Sequence, residues 1–237
     1  MDKQVLIRQP AGLGDILWTQ KIAQRLIQDG FKVYWPVIPA YDHISRYIEG
    51  PNFIPTTSDF FNKDKWNNKY PENNLSLERG IHNVYLPLQD ADQLHPTYPI
   101  MQAKYKMVGL DWDDWLNYLN INWDLDKGES LIDKLEIRNK KYCFVARNYG
   151  SPGGTQKFKM DIQSEYPIIE LEYIDGYSVF DWCCVIENAA EIKIIDGVLN
   201  FLFEKLHLSC VPEVWSRRPE DWSQVDFMFK KQYIKMN

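Results

Sequence analysis

The first third of the chain alternates between short apolar runs and segments with apolar residues at helical spacing. Residues 4–8 form a β-branched run that stops at Pro10 and the glycines after it, which is typical of a strand. Apolar residues then recur near helical spacing from Ile16 to Ile27. A second run at residues 31–35 predicts another strand. Strand, turn, helix and strand in this order form a βαβ unit, whose crossover makes the two strands parallel.

The same alternation continues through the rest of the first half. The polar stretch 56–79, crowded with Asn, Lys and Pro, predicts a long loop. The pattern further predicts helices over 41–48, 101–107 and 127–138, and strands over 52–54 and 84–86.

A new apolar strand begins directly after Asn139-Lys140-Lys141, which places a domain boundary there. The expected domains are residues 1–138 and 139–237. The second half predicts strands over 142–146, 168–171 and 192–195, and helices over 179–190 and 198–206. Two consecutive α/β halves indicate an α/β fold of two Rossmann-like domains facing a cleft, with the C-terminal segment packing back across them.

Composition and charge narrow the class of protein. The 237 residues carry a net charge of −6 and are 45% hydrophobic, so the chain can build a core but lacks the basic surface that grips a nucleic-acid backbone. No apolar run is long enough to span a bilayer, and the N-terminus does not resemble a signal peptide. We therefore expect a cytoplasmic protein with no nucleic-acid partner and no integral membrane segment.

Neither metal ligands nor reactive cysteines stand out. The four histidines are scattered, the four cysteines lie in or beside apolar segments, and neither set shows metal-ligand spacing. We expect buried, reduced thiols and no metal site.

The loop after the first strand carries the first candidate chemistry. Gly12-Leu13-Gly14 matches only the first two positions of the dinucleotide-binding fingerprint G-x-G-x-x-G, because Leu17 occupies the third. The loop offers a carboxylate instead. Asp15 stands at the start of a helix and at the carboxyl edge of a sheet, where it can accept a proton from a hydroxyl nucleophile. The alternative is a favourable charge at a helix N-terminus.

A second place lies where the strand at 192–195 runs into a helix through Asp196-Gly197-Val198-Leu199-Asn200. The free N–H groups and positive dipole end of a helix start suit a diphosphate. An ordinary aspartate cap without a ligand is the alternative.

A third place is a group of polar and cationic residues on an otherwise acidic protein. Arg147 and Asn148 follow the strand at 142–146, and Lys157 and Lys159 lie on the glycine-containing loop beyond it. Cations at a strand edge can neutralise a diphosphate leaving group. Solvated loop charges are the alternative.

Two of these segments resemble one family. Residues 11–17, Ala-Gly-Leu-Gly-Asp-Ile-Leu, are similar to the segment that opens the ADP-heptose:lipopolysaccharide heptosyltransferases. Residues 196–206 resemble that family's Asp-Thr-Gly-Leu-Ser/Met-His-Leu stretch near the donor site. Gly197 and Val198 replace Thr-Gly, Phe201 replaces the His, and the chain is shorter than typical members.

The resemblance implies a compact version of the GT-B architecture, with the acceptor mainly on the first domain and the nucleotide-sugar mainly on the second. It also implies inversion at the anomeric carbon and no required metal. Asp15 is then the candidate base, Gly12, Leu13 and Gly14 form an acceptor-side loop, and residues 196–200 with Lys157 or Lys159 contact the donor phosphates.

The leading hypothesis is therefore an inverting, metal-independent glycosyltransferase that moves a sugar from a nucleotide-diphosphate sugar to a hydroxyl of a glycan acceptor. The nucleotide-sugar is a substrate, and no cofactor is expected. The alternative is a non-catalytic sugar- or nucleotide-binding module of the same fold. A third hypothesis is an NAD(P)-dependent oxidoreductase built on the opening βαβ unit, which the incomplete fingerprint disfavours.

Overall fold

The structure, a computed structural model, describes residues 3–55, 83–150, 154–217 and 226–236. The loop expected at 56–79 lies outside these residues. The chain divides into two compact units, Met1–Ile121 and Asn122–Asn237. Each unit carries its own parallel sheet, so the α/β fold predicted from the alternation of elements is confirmed.

The first unit opens with the expected βαβ unit. Its sheet has the order β3-β2-β1-β4 over the described residues, and all its strands are parallel. Val5 of the central strand lies opposite Val33 on one side and Val84 on the other. The elements are β1 Gln4–Ile7, α1 Leu13–Trp18, α2 Gln20–Gln28, β2 Lys32–Val37, a 3-10 helix Pro39–Arg46, β3 Asn52–Pro55, β4 Asn83–Leu86, a 3-10 turn Leu88–Asp90, α3 Ala91–Leu94, α4 Ile100–Lys106 and a 3-10 turn Trp115–Tyr118.

The second unit repeats the architecture with another strand order. Its sheet runs β11-β10-β9-β5-β8 over the described residues, again parallel, and an antiparallel hairpin stands beside it. Strand β5, which lies between β9 and β8, is wholly buried, as expected of an interior strand of a parallel sheet. The elements are α5 Leu125–Lys134, β5 Cys143–Ala146, β6 Asn148–Tyr149, β7 Gln156–Lys157, β8 Ile168–Glu170, a 3-10 turn Val179–Trp182, α6 Cys183–Glu187, β9 Glu191–Ile195, α7 Val198–Phe203, β10 Glu213–Trp215 and β11 Ile234–Met236.

The division between the units falls before α5 rather than after it, at Ile121–Asn122 instead of the expected residue 138. The reason is the packing of α5 against α6. Gly128 lies in this contact, and a Cβ at its position would stand 2.6 Å from Sγ of Cys184. The missing side chain lets the two helices approach closely, which joins α5 to the second unit.

The segment after α7 also differs from expectation. The sequence predicts no strand there, whereas its described residues supply β10 and β11 to the sheet of the second unit. That this segment packs back across the domains stays a prediction. These strands are three residues long and are partly exposed, so their apolar pattern is weak.

Candidate active site

The first candidate place is the carboxyl edge of the first sheet, between β1 and β4. In the order β3-β2-β1-β4 the strand sequence reverses here, and open α/β sheets bind ligands at such a switch point. Arg8 directly follows β1, and its Nη1 lies 2.6 Å from Oδ2 of Asp90 beyond β4. Charged side chains therefore flank the switch point.

The glycine segment crosses this edge and delivers Asp15. Gly12 has φ of 76°, a left-handed conformation that glycine adopts readily, and its carbonyl accepts a bond from Ile16 N at 3.0 Å. A Cβ on Gly12 would collide with Oδ2 of Asp15, so this oxygen occupies the space that a side chain at position 12 would need. Leu13 and Gly14, expected in the loop, already belong to α1.

A buried lysine holds the other carboxylate oxygen. Lys104 of α4 places its Nζ 2.5 Å from Oδ1 of Asp15, and the lysine side chain is 1% exposed against 30% for the aspartate. The same Nζ donates to Oε1 of Gln9 at 2.5 Å. Asp15 is thus an ion-paired carboxylate with one oxygen engaged and part of its surface open.

Sequence reasoning finds Asp15 but misses Lys104. The lysine is 89 residues away along the chain, so local pattern gives no link between the two. The signal that exists is a lysine between two buried residues, Ala103 and Tyr105, of a predicted helix. Such a buried lysine needs an anionic partner, because an unpaired charge is costly to remove from water.

The second candidate place is the carboxyl edge of the second sheet, where the strand order reverses between β5 and β9. Arg147 follows β5, and Glu170 accepts from its Nε at 3.1 Å and also from its Nη2. Lys157 Nζ lies 2.9 Å from the same carboxylate. The Arg147 guanidinium, with Lys157, holds the pKa of the Glu170 carboxyl below its ordinary value, and the pair raises the pKa of Arg147.

The structure therefore brings together only part of the expected cation group, and Glu170 is the counter-ion of that part. Arg147 and Lys157 meet on Glu170, while Asn148 and Lys159 are exposed. Glu170 is missed by sequence reasoning because it ends a different strand, 23 residues further along the chain.

Asp196 also has an internal partner. It follows β9, and its Oδ1 accepts from Arg217 N at 2.8 Å and from Arg217 Nε at 3.0 Å. The cap of α7 is then Gly197, whose N–H donates to Oδ1 of Asn200 at 2.9 Å. The side chain of Asn200 thus satisfies a backbone group at this helix start, whereas that of Asp196 is engaged by Arg217. Val198 and Leu199 lie in the first turn of α7.

An apolar cluster lies beside the hairpin of the second unit. Buried Met160, Ile195 and Trp215 form its centre. Tyr149 of the hairpin packs against them, and the Arg217 guanidinium lies 5.7 Å from the centroid of the Tyr149 ring. The hairpin therefore covers part of the sheet edge, and its tyrosine stacks on the partner of Asp196.

Asn200 also lines a cavity of about 210 Å³ in the second unit. Phe229 and Tyr233 supply aromatic rings there, and Lys231, Lys235 and Asp226 supply charges. Lys235 pairs with Asp226, and Lys231 Nζ donates to the Leu206 carbonyl at 2.6 Å. Tyr233 donates from its hydroxyl to Oε1 of Glu204 at 2.9 Å, and burial raises the pKa of this phenol.

No group of three His, Cys, Asp or Glu side chains suited to hold a metal ion occurs among the described residues. Burial raises the pKa of Cys143 to about 11, which disfavours a thiolate nucleophile. Over the residues described, no helix combines the length and the apolar character that crossing a membrane requires.

Comparison with known proteins gives matches only at the level of structure. A scan against protein-family models finds no match, and a search of the curated proteins finds none. Among solved structures, the chain is similar to the bacterial iron-containing dodecameric glycosyltransferase TibC from enterotoxigenic E. coli H10407, with a TM-score of 0.53 and 7% identity over 99% of this chain and 62% of that one. It is also similar to TibC in complex with ADP-D-beta-D-heptose, with a TM-score of 0.52, 7% identity and the same coverage of both chains.

A third similar structure is a glycosyl transferase family 9 protein from Veillonella parvula DSM 2008, with a TM-score of 0.50 and 8% identity over 100% of this chain and 87% of that one. At such identities the likeness concerns the fold. The chain has the α/β fold of these glycosyltransferases, which confirms the class of fold that the resemblance of the glycine segment implies. The chain spans 62% of the length of TibC.

Proposed function

We propose that this protein is an inverting glycosyltransferase that needs no metal ion and moves a sugar from a nucleotide-diphosphate sugar to a hydroxyl of a glycan acceptor. The first unit supplies the base, and the second unit binds the donor. The fold shared with solved glycosyltransferases supports the class of reaction, and the roles of individual residues rest on the geometry of the two sheet edges.

The observation that carries the proposal is the setting of Asp15. Its carboxylate lies at the switch point of a parallel sheet. Oδ1 pairs with Lys104, and Oδ2 lies next to Gly12, where a side chain would otherwise stand. A carboxylate at such an edge, partly exposed and with one oxygen that no described residue engages, has the geometry required of a general base.

The chemical step follows from that placement. The acceptor hydroxyl gives its proton to Oδ2 of Asp15 as its oxygen attacks the anomeric carbon of the donor. The bond from that carbon to the diphosphate oxygen breaks, and the nucleoside diphosphate leaves with the electron pair. Attack from the face opposite the leaving group inverts the anomeric centre.

On the donor side, the developing charge of the diphosphate requires cations or N–H donors. Arg147 and Lys157, with Lys159 nearby in sequence, are the candidates, together with the start of α7 at Gly197. Two cations facing one carboxylate retain an excess positive charge, which can be offered to a phosphate.

The test is a transfer assay with ADP-, GDP- and UDP-sugars and a panel of glycan acceptors, with the product identified by mass spectrometry. Asp15→Asn should lower kcat by roughly 10²–10⁴-fold, because the amide cannot take the proton. Asp92→Asn is the matched control, since Asp92 is an exposed acid in the first turn of α3 in the same unit. Wild-type transfer by Asp15→Asn would overturn the role of Asp15.

The second candidate function is a non-catalytic module that binds a nucleotide or a sugar. The observation in its favour is that Arg147 and Lys157 already have Glu170 as counter-ion, and Asp196 already has Arg217. Calorimetry with the same nucleotide-sugars distinguishes the two: binding without turnover for any donor and acceptor pair supports the module.

A further inference from the structure

Lys104 is the most deeply buried charged side chain at the edge that carries Asp15. Its side chain is 1% exposed, and its ammonium donates to Oδ1 of Asp15 and to Oε1 of Gln9, both at 2.5 Å. An ion pair of this kind is not an efficient source of stability, because apolar residues of similar volume often replace buried pairs at no cost. Stability alone therefore does not explain why a lysine is buried at this position.

The second partner of the lysine is itself held in place. Gln9 Nε2 donates to the Ala11 carbonyl at 2.7 Å, and the Gln9 carbonyl accepts from Nε1 of Trp35 at 3.0 Å. The ammonium is thus bound to the start of the glycine segment, which is in turn bound to β2. A continuous series of polar contacts runs from Trp35 through Gln9 and Lys104 to Asp15.

The helix that carries the lysine is also fastened to α1. Trp18 Nε1 donates to the Met101 carbonyl at 2.8 Å, and the Tyr105 hydroxyl donates to the Trp18 carbonyl at 2.7 Å. The two rings contact each other edge to face, with centroids 5.1 Å apart. Contacts from three positions of α4 therefore reach α1, and the lysine among them has little freedom to move.

We propose that Lys104, anchored by Gln9, is a positioning residue that fixes Oδ1 of Asp15 and so presents Oδ2 as the oxygen that takes the acceptor proton. The proposal rests on the function proposed above for Asp15. Gly12 completes the arrangement, because a side chain there would occupy the place of Oδ2. A fixed carboxylate matters since a misplacement of about 1 Å can cost roughly 10²-fold in rate.

The test replaces Lys104 by methionine, which keeps the unbranched shape without the charge. Lys104→Met should lower kcat by about 10²-fold and leave KM for the donor within about twofold. The thermal midpoint should fall, because the Asp15 carboxylate loses its partner. The matched control is Lys21→Met, because Lys21 is 7% exposed, pairs with Asp114 and lies in α2 of the same unit. Lys21→Met should leave kcat unchanged.

A crystal structure of Lys104→Met gives a readout that does not depend on activity. The Asp15 carboxylate should leave its place above Gly12, and an unmoved carboxylate overturns the proposal whatever the rate. Wild-type kcat in Lys104→Met overturns it as well.

If Lys104→Met does not fold, Gln9→Leu removes only the anchor and should displace the same carboxylate. An unmoved carboxylate in Gln9→Leu also overturns the proposal. If the wild-type protein transfers no sugar but the Asp15 carboxylate is displaced in Lys104→Met, only the proposed function is overturned.

Discussion

The two sheet edges use opposite charge arrangements at corresponding places. In the first unit a carboxylate, Asp15, is held by a buried lysine. In the second unit a partly buried carboxylate, Glu170, holds two cations, Arg147 and Lys157. The first edge therefore has an acceptor oxygen with no partner among the described residues, and the second has an excess of positive charge. A base needs the former and a phosphate site needs the latter, so the difference supports a division of roles between the units.

The edges also differ in how firmly their charges are held. Lys104 is almost wholly buried, whereas the Lys157 side chain is 56% exposed and lies on a two-residue strand of the hairpin. Exposed pairs contribute little and exchange partners readily, while breaking a buried pair leaves an uncompensated charge. We therefore expect the first edge to be rigid and the second to rearrange when a stronger anion binds.

The largest effect is expected from Gly12→Ala, which tests the rigidity of the first edge. The new Cβ must displace Oδ2 of Asp15 and so disturb the pair with Lys104, in addition to the strain of a positive φ. The free energy of unfolding should fall by roughly 2–3 kcal/mol, within the range of single substitutions that add both backbone strain and a clash, measured by urea denaturation.

Gly30→Ala is the matched control for this substitution. Gly30 has φ of 83°, and a Cβ added there would have no atom within 4 Å, so alanine at this position meets backbone strain alone. Its loss should be about 1–2 kcal/mol. Equal losses for the two variants would mean that the Asp15 carboxylate yields freely and that the first edge is not rigid.

The contrast between the edges marks what sequence can predict. Gly12 and Asp15 are found because strand, glycine and helix follow one another within a few residues, and their chemistry is local. Lys104 and Glu170 come from distant segments, 89 and 23 residues from their partners, and only the assembled sheet brings them close. Local pattern thus identifies one charged member of each ion pair and does not identify the counter-ion that neutralises it.

Element boundaries show the same limit on a smaller scale. The helix expected to run from residue 16 onward is divided at Thr19, whose hydroxyl donates to the Asp15 carbonyl at 2.7 Å. Such back-bonding from a threonine bends helices. The short strands β10 and β11 are missed because their parallel partners, rather than their own apolar pattern, define them.

An intermediate effect is expected from Glu170→Gln, which tests whether the second edge is exchangeable. Removing the internal anion should raise the affinity for inorganic pyrophosphate about tenfold, or ~1.4 kcal/mol, as measured by calorimetry. Glu172→Gln is the control, since it makes the same charge change at an exposed position two residues away. No gain, or an equal gain in both variants, would show that Glu170 does not compete with the anion.

The smallest effect is expected in the pH dependence of stability that comes from the ion pair between Glu170 and Arg147. Arg147, with Lys157, keeps the pKa of Glu170 below its ordinary value of 4.5. A depressed pKa adds stability above the unfolded-state value and loses it as pH falls through the folded-state value. Wild type should therefore exceed Glu170→Gln in free energy of unfolding by about 1 kcal/mol at neutral pH, and the excess should vanish below the folded-state pKa. An excess that is constant from neutral to acidic pH would assign it to packing of the side chain, and the charge contrast between the two edges would then have no energetic basis.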